Sequence, residues 1–102
     1  MSGRIDSHGD IEITLHGDSA VGVGERVQLV FRPIDDPEPP IGIVIQSPQG
    51  HKIVDRVLRE LPTGRPQSAP PVEFIPSVRG TYTIEVKEQR GKQRGTATLK
   101  VS

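Results

Sequence analysis

The sequence predicts an all-β domain in which two antiparallel sheets pack face to face as a sandwich. Three observations point to this class. Apolar and polar residues alternate over several short segments, which is the period of two expected of a strand with one buried face. Ten prolines and eleven glycines lie mostly between these segments and are typical of turns. With 102 residues, the chain has the length of one domain with a single core.

The N-terminal part predicts a tail followed by two strands. Residues 1–10 are polar and have no periodicity, so we expect a flexible tail there. Residues 11–15 and 27–31 alternate apolar with polar side chains and predict strands. The glycines within residues 17–24 predict a bend at which the first strand passes from one sheet to the other.

The middle of the chain predicts a loop and a strand that folds back. Residues 33–40 contain four prolines, and proline cannot donate to a ladder. Residues 41–46 predict a strand, with Val44 on the face opposite the isoleucines. Ser47–Gly50 has proline second and glycine fourth, which is typical of a type I turn. The next segment should therefore pair with this strand.

Residues 51–61 are ambiguous. Val54, Val57, Leu58 and Leu61 match the helical spacing i, i+3, i+4 and i+7. The segment is short, and it lacks a helix N-cap after a turn that suits a hairpin. We favour a strand with a bulge, with a short helix as the alternative.

The C-terminal part predicts a long loop and three strands. The loop, residues 62–71, again contains four prolines. Residues 72–74, 82–86 and 97–101 predict the strands, which makes about seven antiparallel strands in all. This spacing predicts a single immunoglobulin-like β-sandwich domain over residues 11–102.

A motif before the penultimate strand is similar to a known family. Residues 74–86 read F-x-P-x-x-x-G-x-Y-x-I-x-V, which resembles the signature of filamin-type immunoglobulin-like repeats. The residues also have physical roles. Pro76 ends a strand, Gly80 permits a reversal, and Tyr82 can bury its ring while its hydroxyl bonds the preceding corner.

The resemblance implies a binding mode. Filamin-like repeats accept a partner peptide as an added strand, beside the segments that correspond here to 41–46 and 52–58. The residues themselves also favour a sheet edge there, because an edge has unpaired N–H and C=O groups. Val44 could seat a partner side chain, or it could be covered by a loop or strand. The candidate binding residues are Ile43, Val44, Ile45, Gln46 and Val54.

A second candidate is the basic turn before the last strand. It carries Arg90, Lys92 and Arg94, which could contact phosphate or an acidic partner. The alternative is a solvated hairpin tip. Thirteen basic and thirteen acidic residues cancel over the chain, and only three residues are aromatic. This composition does not favour nucleic-acid binding.

The composition also bears on catalysis and location. The chain has no cysteine, which removes thiol catalysis and zinc-thiolate sites. It has no G-x-S-x-G, H-E-x-x-H or phosphate-loop motif. We therefore predict no catalytic residue, no metal site and no cofactor. No run of about 18 apolar residues predicts a membrane span, no export signal is evident, and the compartment stays open.

The sequence thus predicts a non-catalytic protein-interaction or spacer module, either on its own or as one domain of a larger protein, and monomeric in isolation. It would bind an unidentified protein partner by strand addition or by domain stacking. The alternative is an accessory domain that binds a carbohydrate or calcium, for which acidic loop residues such as Asp35, Asp36 and Glu38 could supply oxygen ligands.

Overall fold

The computed structural model describes residues 4–16 and 21–102. These residues form eight strands and a short 3-10 turn at Gln89–Gly91. A five-stranded antiparallel sheet has the order β1-β8-β7-β4-β5, and a three-stranded antiparallel sheet has the order β2-β3-β6. The predicted all-β sandwich is confirmed. The strands are β1 (Arg4–Gly9), β2 (Ile11–Leu15), β3 (Val27–Pro33), β4 (Ile41–Gln46), β5 (Lys52–Leu58), β6 (Val72–Phe74), β7 (Gly80–Lys87) and β8 (Gln93–Val101).

The core lies between the sheets because alternate residues of each strand turn inward. On β4, Ile41, Ile43 and Ile45 are buried, whereas the residues between them are half-buried on the outer face. Within the described ranges, every buried side chain of the core is apolar. Each large aliphatic side chain contributes about 1.5–3 kcal/mol when fully buried, so this inner layer supplies the main stabilisation.

Strand β1 corrects the prediction of a flexible tail over residues 1–10. Residues 4–9 pair with β8 in continuous antiparallel register. Ile5 packs against the core, and the Ser7 hydroxyl accepts a hydrogen bond of 2.8 Å from the Ile13 N–H. The segment is polar, yet its backbone is held by the neighbouring strand. Residues 1–3 lie outside the described residues.

The chain passes between the two sheets at Gly9, not at the predicted bend over residues 17–24. Gly9 ends β1 with φ +106°, and a Cβ there would lie 2.7 Å from the Arg94 carbonyl oxygen. Only glycine fits this close crossing. Of the predicted bend, residues 17–20 lie outside the described residues, and Val21 is buried.

The ambiguous segment is a strand, as favoured from the sequence. β5 pairs with β4, and the register shifts after Ile45, so that Ile53 is the extra residue of a bulge. The preceding turn has the expected bond, in which the Gly50 N–H donates to the Ser47 carbonyl at 2.9 Å. Val54 and Leu58 pack against the core while Val57 points outward. This arrangement is that of a strand, although the spacing of these residues also matches a helix.

The proline-rich loop after β5 completes the smaller sheet. β3 pairs with β6 only over Val27–Leu29. Beyond that point the Phe31 N–H donates to the Pro62 carbonyl at 2.8 Å. The loop therefore satisfies the Phe31 N–H, which a longer β6 would otherwise pair. Across the described residues, no helix is long and apolar enough to cross a membrane.

Candidate functional site

The candidate site is the outer edge of β5. This strand is seven residues long and pairs with β4 on one side only. In an antiparallel edge strand, alternate residues direct their N–H and C=O groups away from the neighbour. β5 is therefore able to accept another strand on its free side.

Two apolar side chains are exposed on this edge. The Val57 side chain is 71% exposed and that of Ile53 is 41% exposed. Val57 lies opposite Gly42, which has no side chain to cover it. Val44 is its diagonal neighbour on the outer face and is half-buried. A partner strand could bury Val57 and extend this small apolar area.

Of the two strands predicted to offer a sheet edge, β4 and β5, the structure places only β5 at an edge. Val44 pairs with Asp55 of β5 on one side and with Glu85 of β7 on the other. β4 is thus an interior strand, and Ile43 and Ile45 are buried in the core. The physical reason is that β7 pairs with the side of β4 that the predicted β4–β5 hairpin leaves free.

The five predicted binding residues therefore divide between two strands. Ile43, Val44, Ile45 and Gln46 lie on β4, whereas Val54 lies on the edge strand β5, half-buried on its inner face. The sequence reasoning missed Ile53 and Val57. Their alternation with Asp55 was the available signal, and the helical spacing of the same segment obscured it.

The other sheet edges are less suited to strand addition. β6 is only three residues long. β2 and β1 lie at the corner where the chain passes between sheets, and the outward residues of β1 are polar. β5 also carries features that restrict pairing, namely Lys52, the bulge at Ile53 and the charged Arg56 on its inner side. The bulge leaves residues 54–58, which include Arg56, as the regular part of the edge.

The predicted basic turn is changed by the position of Arg94. Its Nη1 donates to Glu88 Oε2 at 2.8 Å, and its Nη2 donates to the Asp35 carbonyl at 3.2 Å. Its Nε lies 3.6 Å from Asp10 Oδ2. The Arg94 side chain is only 10% exposed. The Arg94 guanidinium therefore contacts Glu88, the Asp35 carbonyl and Asp10 at one end of the sandwich. Its charge is not free for a partner.

The Glu88 carboxylate is the centre of this polar network. The Glu38 N–H donates to its Oε2 at 3.1 Å. That backbone hydrogen bond, followed by the hydrogen bond and positive charge of Arg94 and the charge of Lys92, holds the pKa of Glu88 below its ordinary value, while burial acts in the opposite direction. Arg90 and Lys92 remain as exposed cations of the turn.

Apart from the β5 edge, a cleft lies on the outer face of the smaller sheet. This cleft has a volume of about 570 Å³, and Arg32 and Arg65 are among its lining residues. The aromatic residue in its wall is Phe31, whose ring is buried in the core. A sugar would thus find no exposed ring in this wall on which to stack.

The acidic loop residues Asp35, Asp36 and Glu38, which the sequence offers as oxygen ligands for calcium, do not come together as a metal-binding group. In the part of the chain that the structure describes, no three or more His, Asp or Glu side chains come together in a metal-binding group. Asp35 and Asp36 are exposed. Glu38 contributes its backbone N–H to Glu88.

Comparison with known proteins adds no family to this description. No family model, no curated protein and no solved structure matches the chain. The candidate site therefore depends on the geometry of the β5 edge.

Proposed function

We propose that this chain is a non-catalytic protein-interaction module of the filamin-type immunoglobulin-like kind, which binds an extended segment of a partner protein as an added strand along β5. The observation that carries the proposal is the free edge of the seven-residue strand β5, with the exposed Val57 near its C-terminal end. In such binding, the main chain supplies affinity and alternate side chains supply specificity.

The chemistry of the edge indicates the kind of segment that fits. Ile53 and Val57 are apolar, and the exposed Asp55 lies between them. Cross-strand neighbours are favourable when apolar residues face each other and opposite charges meet. The partner segment is therefore extended, with apolar residues facing Ile53 and Val57 and a basic residue facing Asp55.

The resemblance to filamin-type repeats supports the same binding region, except that the partner pairs with β5 and not with β4. Filamin-like repeats take a partner beside the strands that correspond to β4 and β5. Because β4 is paired on both sides, β5 is the one of these two strands that has a free edge. The buried Tyr82 and its bonds to the preceding corner also support the immunoglobulin-like assignment.

The proposal is tested with peptides selected from a random library on the immobilised protein. Their affinity is then measured for the wild type, for Val57→Lys and for Thr98→Lys. Val57→Lys replaces the most exposed apolar side chain of the edge by a charge and should weaken binding by about tenfold or more. Thr98 is exposed on β8, which is paired on both sides, so Thr98→Lys is a matched control that should bind within about twofold of wild type.

Equal binding by the wild type and Val57→Lys, or the failure of any peptide to bind, would contradict the proposal. If no peptide binds, a passive spacer is the better interpretation, whereas equal binding would place the peptide site away from the β5 edge. A rise in melting temperature on adding calcium or oligosaccharides would instead favour a ligand-binding accessory domain.

A further inference from the structure

We propose that the strand accepted by β5 is β5 of a second copy of this chain, so that two protomers join their five-stranded sheets through these edges. The inference rests on the proposed strand addition and names the partner. It follows from the charge pattern of residues 55–59, which read Asp-Arg-Val-Leu-Arg.

Symmetry restricts how two copies can pair. A two-fold axis perpendicular to the sheet makes the two β5 strands antiparallel and keeps the outer faces of both protomers on the same side. One residue then faces its own copy at the axis. With Val57 at the axis, Asp55 of each protomer faces Arg59 of the other.

This register is complementary on the outer face. The exposed Val57 side chains meet at the centre, and an Asp55–Arg59 pair forms on each side of them. Both charged residues are exposed, and neither forms an ion pair inside the described part of one protomer. The pairing therefore uses charges that are free within the monomer. Opposite charges across antiparallel strands are favourable, whereas like charges repel.

Neighbouring registers are less favourable. An axis at Asp55 would bring two carboxylates together, and an axis at Arg56 would bring two guanidinium groups together. An axis at Leu58 would need Glu60 to pair, although the strand ends at Leu58. The register centred on Val57 needs only Arg59 beyond the strand, so the sequence of the edge selects it.

The pairing segment is short, because the bulge at Ile53 interrupts the regular edge. Such a small contact area belongs to weak associations. The contact should therefore be a dimer at high concentration, and it would be strengthened where two copies are tethered in one assembly.

The inference is tested with charge reversals analysed by sedimentation velocity at low salt, up to about 1 mM protein. The wild type should self-associate. Asp55→Arg and Arg59→Asp should each weaken self-association by about tenfold or more, because each alone creates two like-charge pairs. An equimolar mixture of the two variants should form a heterodimer, since both ion pairs are then restored.

The matched control is Asp6→Arg. Asp6 is exposed on the other edge strand, β1, and undergoes the same charge change. It should self-associate like the wild type. A wild type that stays monomeric over the whole range would overturn the inference, and so would a dimer that survives both reversals or a mixture that fails to form the heterodimer.

Peptide binding to the same samples separates this inference from the proposed function. Peptide binding along β5 by a chain that does not self-associate would overturn only the choice of a second copy as partner. Absence of both peptide binding and self-association would overturn both proposals.

Discussion

At the scale of single residues, Tyr82 connects the core to the corner before β7. Its side chain is 1% exposed. Its hydroxyl donates to the Val78 carbonyl at 2.8 Å and accepts from the Val78 N–H at 3.3 Å. The preceding Gly80 has φ +131°, and a Cβ there would lie 2.7 Å from the Pro48 ring. The hydrogen bonds of Tyr82 to Val78 therefore hold the corner on its core side. The close approach of Gly80 to Pro48 holds it on its outer side.

Substitutions at Tyr82 should separate packing from hydrogen bonding. Tyr82→Phe keeps the ring and loses the hydroxyl, so we expect the free energy of unfolding to fall by about 0.5–1.5 kcal/mol. Tyr82→Ala also leaves a cavity and should lower it by about 3–5 kcal/mol. Urea denaturation measures both. A Tyr82→Ala variant as stable as the wild type would remove the tyrosine-corner interpretation.

Glu88 should make stability depend on pH. Its pKa is lowered in the folded state, so the unfolded chain takes up this proton at a higher pH than the folded chain does. The stabilisation is fully present above the unfolded pKa of about 4.3 and is lost as the pH falls through the lower folded value. Melting temperatures between about pH 7 and pH 3 should therefore fall less steeply for Glu88→Gln than for the wild type.

The control for this experiment is Glu12→Gln, which removes a carboxylate exposed on β2. Its melting temperatures should follow those of the wild type across the same range. If the wild type and Glu88→Gln lose stability in parallel as the pH falls, the Arg94–Glu88 network does not have the role described above.

At the scale of elements, the polar strand β1 covers an edge of the larger sheet. It pairs with β8 over its whole length and leaves β5 at the opposite edge. Removing residues 1–9 should expose β8 and lower the free energy of unfolding by roughly 2–5 kcal/mol, since each backbone hydrogen bond contributes about 1 kcal/mol net. Chemical denaturation measures this change. Unaltered stability would show that β1 does not pair in solution.

The charge on the inner side of β5 should limit uncontrolled association. Arg56 faces the inner side at the edge and lies opposite Ile43. An inward-pointing charge of this kind disfavours the pairing of further strands with an edge. Arg56→Val should therefore aggregate faster than wild type in light-scattering measurements at equal concentration.

A matched control for this substitution is Arg32→Val. Arg32 is exposed on β3, which is the central strand of the smaller sheet. The same loss of charge there should leave the aggregation rate close to that of the wild type. Equal acceleration by both variants would attribute the effect to net charge and not to the edge.

At the scale of the whole molecule, the sequence predicted what local periodicity determines. Alternation identified the buried faces of β2, β3, β4, β7 and β8, and the Ser47–Gly50 turn predicted the β4–β5 hairpin. It failed for β1, where Ile5 is the only large apolar residue and pairing depends on backbone groups that leave no periodic pattern.

The candidate site was less predictable because it depends on sheet order. Which strand lies at an edge follows from long-range pairing, and no local pattern showed that β7 would pair with the other side of β4. The role of Arg94 was hidden for the same reason. Its partners Asp10 and Asp35 are distant in sequence and meet it only at the end of the folded sandwich.

The most direct test of the central claim is amide hydrogen exchange of the protein with and without a selected peptide. An added strand hydrogen-bonds the outward amides of the edge and slows their exchange. We predict that new protection appears at alternate residues of β5, while the amides of β4, already paired on both sides, change little. New protection on β1, on β6 or around the cleft of the smaller sheet, with none on β5, would contradict the account.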